Sequence, residues 1–429
     1  MNFYEEQIIK LQRRIKKIDE NPDPTKPKSN KIRYQIELEF AKEQLEGWRQ
    51  GRPFSDGGSG GAGTLTAAMG FIAVGSVEPA FQTAHPQKYL EYARNEGLPV
   101  DQSCDMTMMP FAMTECGDTP MQDLSFCDNH GCTPMLLRGF YGEHQSKAFS
   151  YQFDLGGYEE NETNFKYILE QFKEFIEFAE KRFPGLIKYD EDKLGEFLEN
   201  EDKIHKINLE VQQMVKQKPT PIAGKDTVMG PRGTNRWGTT KLDVEYALAR
   251  RDEIAERVAK GIAAVPGEKL RVLWTGVTNP VFMDPYKALA KWGVVTFRGG
   301  MRPGERELGR TDGGRTFWRA YWAERKPNPL EKFSARKVGR HPPANTYVNN
   351  IIEVARDLNV DGIVNYNMRG CTQVLAYRKL LEEAAEKELG IPTLQLEGAQ
   401  WDNNYRSEAH ITADLDEFAQ MLLSMKDLA

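Results

Sequence analysis

Cysteine is scarce in this chain and its count is odd: five residues in 429, which excludes a fully paired disulfide framework. A chain of this length buries enough core to stand without covalent staples. The thiols therefore need another explanation, and a reducing cytoplasm is the expected setting. Long apolar runs are also missing. No stretch approaches the ~20 residues of a membrane-spanning helix, and the N-terminus has no secretory h-region, so no membrane partner is expected. Positive charge is not in excess either: 57 Lys and Arg stand against 63 Asp and Glu, a net charge of −6. That balance argues against a general nucleic-acid surface, although Arg336-Lys337 and Arg340-His341 are local candidates for phosphate contact. There is no GxxxxGK[ST] phosphate loop, so the chain itself is not expected to hydrolyse ATP.

What is present divides into four spans by composition. Residues 1–63 combine two polar helical patterns, broken by Asn21-Pro22-Asp23-Pro24 and Pro27, with the linker Gly57-Gly58-Ser59-Gly60-Gly61-Ala62-Gly63. Residues 64–190 alternate short apolar runs with helices. The clearest helix places Phe165, Ile168, Leu169, Phe172, Phe175, Ile176 and Ala179 at i, i+3, i+4 spacing, the stripe of a core-facing helix. Residues 191–266 are charged and helical, broken by Pro219-Thr220-Pro221 and by the loop 229–238, and predict a connecting helical layer. Residues 267–429 alternate strands (Leu270–Trp274, Val294–Phe297, Ile363–Tyr366, Thr393–Leu396) with helices. That alternation predicts a doubly wound parallel sheet. The fold class is therefore α/β, two parallel-sheet lobes with an N-terminal helical segment and a helical connecting layer.

Two thiols stand where ligands collect in such sheets, at the carboxyl ends of strands and the starts of helices. Cys371 follows the apolar run Gly362–Tyr366 and the turn Asn367-Met368-Arg369-Gly370. Cys132 follows the strand-like Asp123–Phe126 and the turn Asn129-His130-Gly131. Cys104 completes a possible trio. Soft thiolates suit iron-sulfur chemistry, but the spacing is not a CxxC array, and from spacing alone a shared metal site and ordinary buried thiols both stand. Cys127 lies inside a strand pattern and reads as core. Cys116 is a loop thiol, a candidate substitute ligand.

The chain resembles the 2-hydroxyacyl-CoA dehydratase and benzoyl-CoA reductase family. The resemblance is carried by Leu98-Pro99-Val100-Asp101-Gln102-Ser103-Cys104, by Asp123-Leu124-Ser125 through Gly131-Cys132-Thr133, by Glu268 through Gly276, and by Asp361-Gly362-Ile363-Val364 through Arg369-Gly370-Cys371. It continues through Gly390–Gly398, Trp401-Asp402-Asn403 and Asp414–Phe418. It implies two flavodoxin-like lobes holding a [4Fe-4S] cluster, with Cys104, Cys132 and Cys371 on the ligand positions. It also implies a homologous second cluster-bearing subunit, an acyl-CoA substrate, and a separate activator that hydrolyses ATP and carries its own cluster. Asp190–Pro221, Pro231-Arg232-Gly233-Thr234 and Tyr246–Ile254 look most like the larger cluster-bearing subunit of ATP-dependent benzoyl-CoA reductase.

That resemblance implies electron delivery to an aromatic acyl-CoA thioester. The alternatives are a dehydratase subunit that removes water from a 2-hydroxyacyl-CoA, and a non-catalytic electron-transfer or scaffold subunit with Cys116 or Cys127 as fourth ligand. Two departures leave the substrate open: Asp105-Met106-Thr107-Met108-Met109 follows the first ligand, and Thr372-Gln373-Val374 follows Cys371. His130 is a candidate proton donor, or else a turn histidine. Met106, Met108 and Met109 are either apolar neighbours that lower a cluster potential or adaptable core filling. Gly58, Gly60 and Gly63 fit GxGxxG, but no preceding strand is expected, and Thr64 as helix N-cap is the preferred reading.

Overall fold

The computed structural model describes residues 2–428 except 22, 24–25, 56–61, 75–82, 84, 129–133, 135–142, 145–147, 155, 157–158, 228–237, 277–278, 299–320, 323–324 and 339–343, and without the side chains of 106 and 126–128. Among the described residues, strands β1 (Phe54–Ser55), β2 (Ile72–Ala73), β3 (Leu124–Asp128) and β4 (Phe149–Phe153) form one parallel sheet in the order β2-β1-β3-β4. Strands β5 (Leu270–Thr275), β6 (Val294–Arg298), β7 (Gly362–Met368) and β8 (Thr393–Gly398) form a second, in the order β6-β5-β7-β8. Within each lobe the chain thus uses the same order, second-first-third-fourth, and every pairing is parallel. In this doubly wound arrangement the direction of winding reverses beside the first strand, and the crevice opens at the carboxyl ends there.

The second sheet is built as a buried parallel sheet should be, with near-continuous apolar strands. Every residue of β5 and β7 is buried. Gly362 starts β7 because the C-terminal helix Glu408–Leu428 lies directly on it: a Cβ there would meet Phe418 at 2.9 Å and Leu422 at 3.2 Å. The first lobe has a separate aromatic core. Phe165, Phe172 and Phe175 of the helix Glu162–Arg182 pack with Phe153, Leu124 and Phe333. Phe333 belongs to the helix Pro329–Ala335, which comes from beyond β6 in sequence but packs on this first core.

The expected N-terminal helix pair is present as Phe3–Glu20 and Asn30–Arg49, packed on one another. Asn2 and Glu5 close the first helix with reciprocal side-chain-to-amide bonds, a capping box. Phe3, Tyr4 and Leu45 then pack against Leu90, Met108, Met109 and Trp401. Helices Glu191–Met214 and Lys241–Ala259 form the connecting layer. No described helix is long and apolar enough to cross a membrane.

Candidate functional site

Cys371 is the N-cap of the helix Thr372–Leu389, three residues beyond the end of β7, with extended backbone (φ −84°, ψ 95°). The turn closes through the Cys371 amide, which donates to the Met368 carbonyl at 3.0 Å. Cys104 occupies the same position on another helix: it is the N-cap of Asp105–Glu115, with φ −70° and ψ 121°. Both thiols are buried, and both belong to the core of the second lobe. Gly370 brings the two turns together. Its φ is +73°, and a Cβ on it would lie 2.5 Å from the Cys104 nitrogen and 2.5 Å from the Ser103 carbonyl carbon. Only glycine serves there, on backbone conformation and on space alike.

Each thiol stands at the N-cap of a helix, where the first-turn amides point outward. Burial pushes the Cys371 thiol above its ordinary value, while the amides of Gln373 and Val374 draw it down. Those amides are the donors that would hold a thiolate ligand and tune its electron density. The Ser103 hydroxyl, buried beside Cys104, has no hydrogen-bond partner among the described residues. Buried thiols, helix amides and an unpartnered hydroxyl fit a group bound through sulfur.

A charged network braces the same two turns. Arg369, in the turn before Cys371, pairs with Asp402 at 3.3 Å and with Asp101 at 3.5 Å, and Asp101 lies just before Cys104. Arg94 joins Asp101 at 3.0 Å and also pairs with Asp402. Asp402 is almost fully buried, so its two arginines supply the compensation a buried carboxylate requires. Asp105 is completely buried; its carboxylate accepts the Trp401 amide at 2.9 Å. Burial holds its proton affinity up, opposed by the Trp401 amide and by Arg369. On the other side of Cys371 stand Tyr347 and Tyr377, ring centroids 4.7 Å apart. Desolvation raises both phenols above their ordinary range, although the Tyr347 ring keeps part of its surface in solvent; Cys371 adds to the rise in each, and Tyr377 also interacts with Thr275. They stay protonated at neutral pH, as hydrogen-bond donors.

Cys104 and Cys371, far apart in sequence, are thus brought together. Cys132 and His130 lie outside the described residues, and so does the Met106 side chain. Among the described residues, no three His, Cys, Asp or Glu side chains assemble as a metal-binding group. Met108 and Met109 are fully buried against Leu90 and Trp401, which is core filling. Cys127 lies within β3. Cys116, expected in a loop and weighed as a substitute ligand, is instead the C-cap of the helix that Cys104 opens. Twelve residues of helical rise put it about 18 Å from Cys104, too far to share one cluster.

Two expectations about the glycine-rich stretch are corrected. From sequence, no strand leading into it by a tight βα turn is expected; a strand does precede it, β1 at Phe54–Ser55, too short to show periodicity in sequence, while the connection at 56–61 lies outside the described residues. Thr64 is not the N-cap of the following helix, which begins at Gly63 after Ala62; its hydroxyl donates to Glu201 at 3.0 Å. Arg336, weighed for phosphate contact, is engaged by Glu201 at 3.2 Å and Asp202 at 2.7 Å, while Arg340 and His341 lie outside the described residues. Residues that sequence reasoning missed are Gly370 as a contact point, the Arg94–Asp402 pair, and the two tyrosines.

The chain is similar to three characterised proteins at low identity. It is 24% identical over 340 residues to the (R)-phenyllactyl-CoA dehydratase alpha subunit of Clostridium sporogenes, covering 75% of this chain and 76% of that one. It is 25% identical over 269 residues to a benzoyl-CoA reductase subunit of Thauera aromatica, covering 60% and 59%. It is 26% identical over 297 residues to the (R)-2-hydroxyglutaryl-CoA dehydratase alpha subunit of Acidaminococcus fermentans, covering 66% and 57%. All three are enzyme subunits, which supports an enzyme role here. The family model for the 2-hydroxyglutaryl-CoA dehydratase D-component matches residues 64–422, from the first helix of the first lobe through most of the last helix, and the chain belongs to that family.

Proposed function

We propose that this chain is an iron-sulfur subunit of an acyl-CoA enzyme, with thiolates of Cys104, Cys132 and Cys371 holding a [4Fe-4S] cluster. The observation that carries this reading is the seating of the Cys104 backbone against Gly370, the residue before Cys371, with both thiols buried at helix N-caps. Cys132 follows β3 as Cys371 follows β7, the third strand of the equivalent lobe. When bound, such a cluster supplies single electrons at low potential.

The residues of the chain prepare that chemistry. Helix amides at Gln373 and Val374 favour sulfur as thiolate. Arg369 offsets negative charge at Asp402 and Asp101. Tyr347 and Tyr377 offer neutral hydroxyl donors beside Cys371, and His130 is the proposed proton donor to a reduced ring or a leaving hydroxyl. We assign the substrate as an aromatic acyl-CoA, reduced in the manner of benzoyl-CoA. The electrons come from a separate ATP-hydrolysing iron-sulfur activator, and a homologous second subunit completes the enzyme in the cytoplasm. The second reading, dehydration of a 2-hydroxyacyl-CoA, is favoured by two of the three relatives being dehydratase subunits.

The first experiment is iron and acid-labile sulfide analysis after anaerobic purification, parent against Cys371→Ala. About four of each per chain, lost in the variant, is the expected result. Negligible iron after anaerobic reconstitution would sink the reading. With activator and ATP, benzoyl-CoA and a 2-hydroxyacyl-CoA then separate the two reactions: a reduced ring marks the reductase, and water loss without net electron uptake marks the dehydratase.

A further inference from the structure

A cavity lies away from the thiols, between the turn joining the two N-terminal helices and the segment around Lys225. Its volume is about 240 Å³. Five cationic side chains line it, Arg14, Lys17, Lys26, Lys28 and Lys225, with Asp23 as the one carboxylate. In a chain of net charge −6 this is a marked concentration of positive charge. Elsewhere several basic residues are held in ion pairs: Lys31 with Asp19, Arg251 with Asp252, Lys260 with Glu256 and Arg336 with Glu201 and Asp202. Glu37 lies within electrostatic reach of Arg14 and Glu256 of Lys28, but among the lining side chains cations outnumber carboxylates five to one, and the field they focus is relieved by an anion.

Hydrogen bonds tie two of the segments that line the cavity to the rest of the fold. The amides of Lys28 and Ser29 donate to the Glu253 carboxylate at 2.6 and 2.8 Å, which anchors the inter-helix turn on the connecting layer. Pro27, Ser29 and Asn30 are buried. Lys225 opens the short 3₁₀ turn Lys225–Thr227, and that turn is tied to the second sheet at its carboxyl edge. The Gly224 amide donates to the Thr296 carbonyl at 2.7 Å, and the Arg298 amide donates to the Thr227 hydroxyl at 2.8 Å. Arg298 ends β6. Strand β6 is two positions from β7 in the sheet, so the strand ends are separated by roughly 10 Å. The cationic cavity and Cys371 therefore belong to the same edge of the same sheet.

We propose that this cavity binds the phosphate-bearing end of an adenosine phosphate. Lys and Arg side chains provide the charge-assisted donors that phosphate oxygens require, and the backbone that carries Lys28 is tied to Glu253. The ligand has two sources, the nucleotide end of a coenzyme A thioester or a free nucleotide. The assignment does not depend on the cluster.

The test is equilibrium binding to the full-length, anaerobically purified protein, using coenzyme A, dephospho-coenzyme A, ADP and benzoyl-CoA as probes. Parent is compared with Lys17→Ala/Lys225→Ala and with Lys379→Ala, a basic residue on an exposed helix face far from the cavity in sequence. At least one adenosine phosphate saturates the parent, the double variant loses about tenfold or more in affinity, and Lys379→Ala binds as the parent does. Tighter binding of coenzyme A than of dephospho-coenzyme A, with displacement by benzoyl-CoA, identifies the substrate's own nucleotide end. Equal binding of ADP that benzoyl-CoA does not displace identifies a free nucleotide. Absence of saturable binding, or an unchanged affinity in the double variant, overturns the proposal. Iron content measured on the same samples separates this failure from failure of the cluster assignment.

Discussion

Gly370 and Cys104 touch through backbone: a methyl group on the glycine would sit 2.5 Å from the cysteine nitrogen. Glycine at this point has two requirements to meet, a left-handed backbone and the closeness of the neighbouring turn. Gly390, the C-cap of the helix that Cys371 opens, has a similar φ of +67° but nothing within 4 Å of its would-be Cβ. Gly390→Ala is expected to cost about 1–2 kcal/mol from the backbone alone. Gly370→Ala should cost a further ~1–3 kcal/mol and lower iron retention. Urea melts and iron analysis of both variants check this; equal costs would show that the two turns are not in contact.

Removal of Asp402 is expected to be severe. Its loss leaves Arg94 and Arg369 without their shared buried partner, so Asp402→Ala should destabilise by about 3 kcal/mol. The pair Arg356–Glu388, at 3.0 Å on the surface, is the comparison. Arg356→Ala there should stay within ~1 kcal/mol. Comparable losses in thermal melts would mean that the network around Asp402 carries no special weight.

Asp101 predicts a pH dependence. The hydrogen bond from Arg94, helped by Arg369, holds its carboxyl below the ordinary value. A depressed folded pKa means that the contribution is present above the unfolded value and is lost as pH falls through the folded one. Asp101→Asn should therefore be less stable than the parent at neutral pH, and the gap should close as pH drops below about 4, the ordinary carboxylate value. Melting temperatures of both proteins between neutral pH and pH 3 measure it. A gap that widens on acidification would be the opposite result.

Cys116 gives a control among the thiols. It caps the far end of the helix that Cys104 opens, so Cys116→Ala should keep full iron and sulfide while Cys104→Ala loses them. Loss of cluster in Cys116→Ala would contradict the helix geometry.

The long buried strands were legible because apolar runs bounded by glycines have few other readings; β5, β7 and β8 extend only one to two residues beyond their sequence-based limits. The short strand β1 carried no pattern, having two residues, and β4 mixes half-exposed with buried positions. At the site, Cys371 was visible from its own flanks. Its neighbour was not. That Cys104 lies against Gly370, and that Arg369 reaches Asp402 and Asp101, depends on how two distant turns dock. No local periodicity encodes such docking, and a glycine chosen for close approach looks in sequence like any turn glycine.

Cys104 precedes the third strand of the first lobe in sequence, yet its side chain is part of the second lobe's core. Any hinge opening between the lobes would carry Cys104 and Cys371 together as one body. A motion of that kind would leave their separation unchanged.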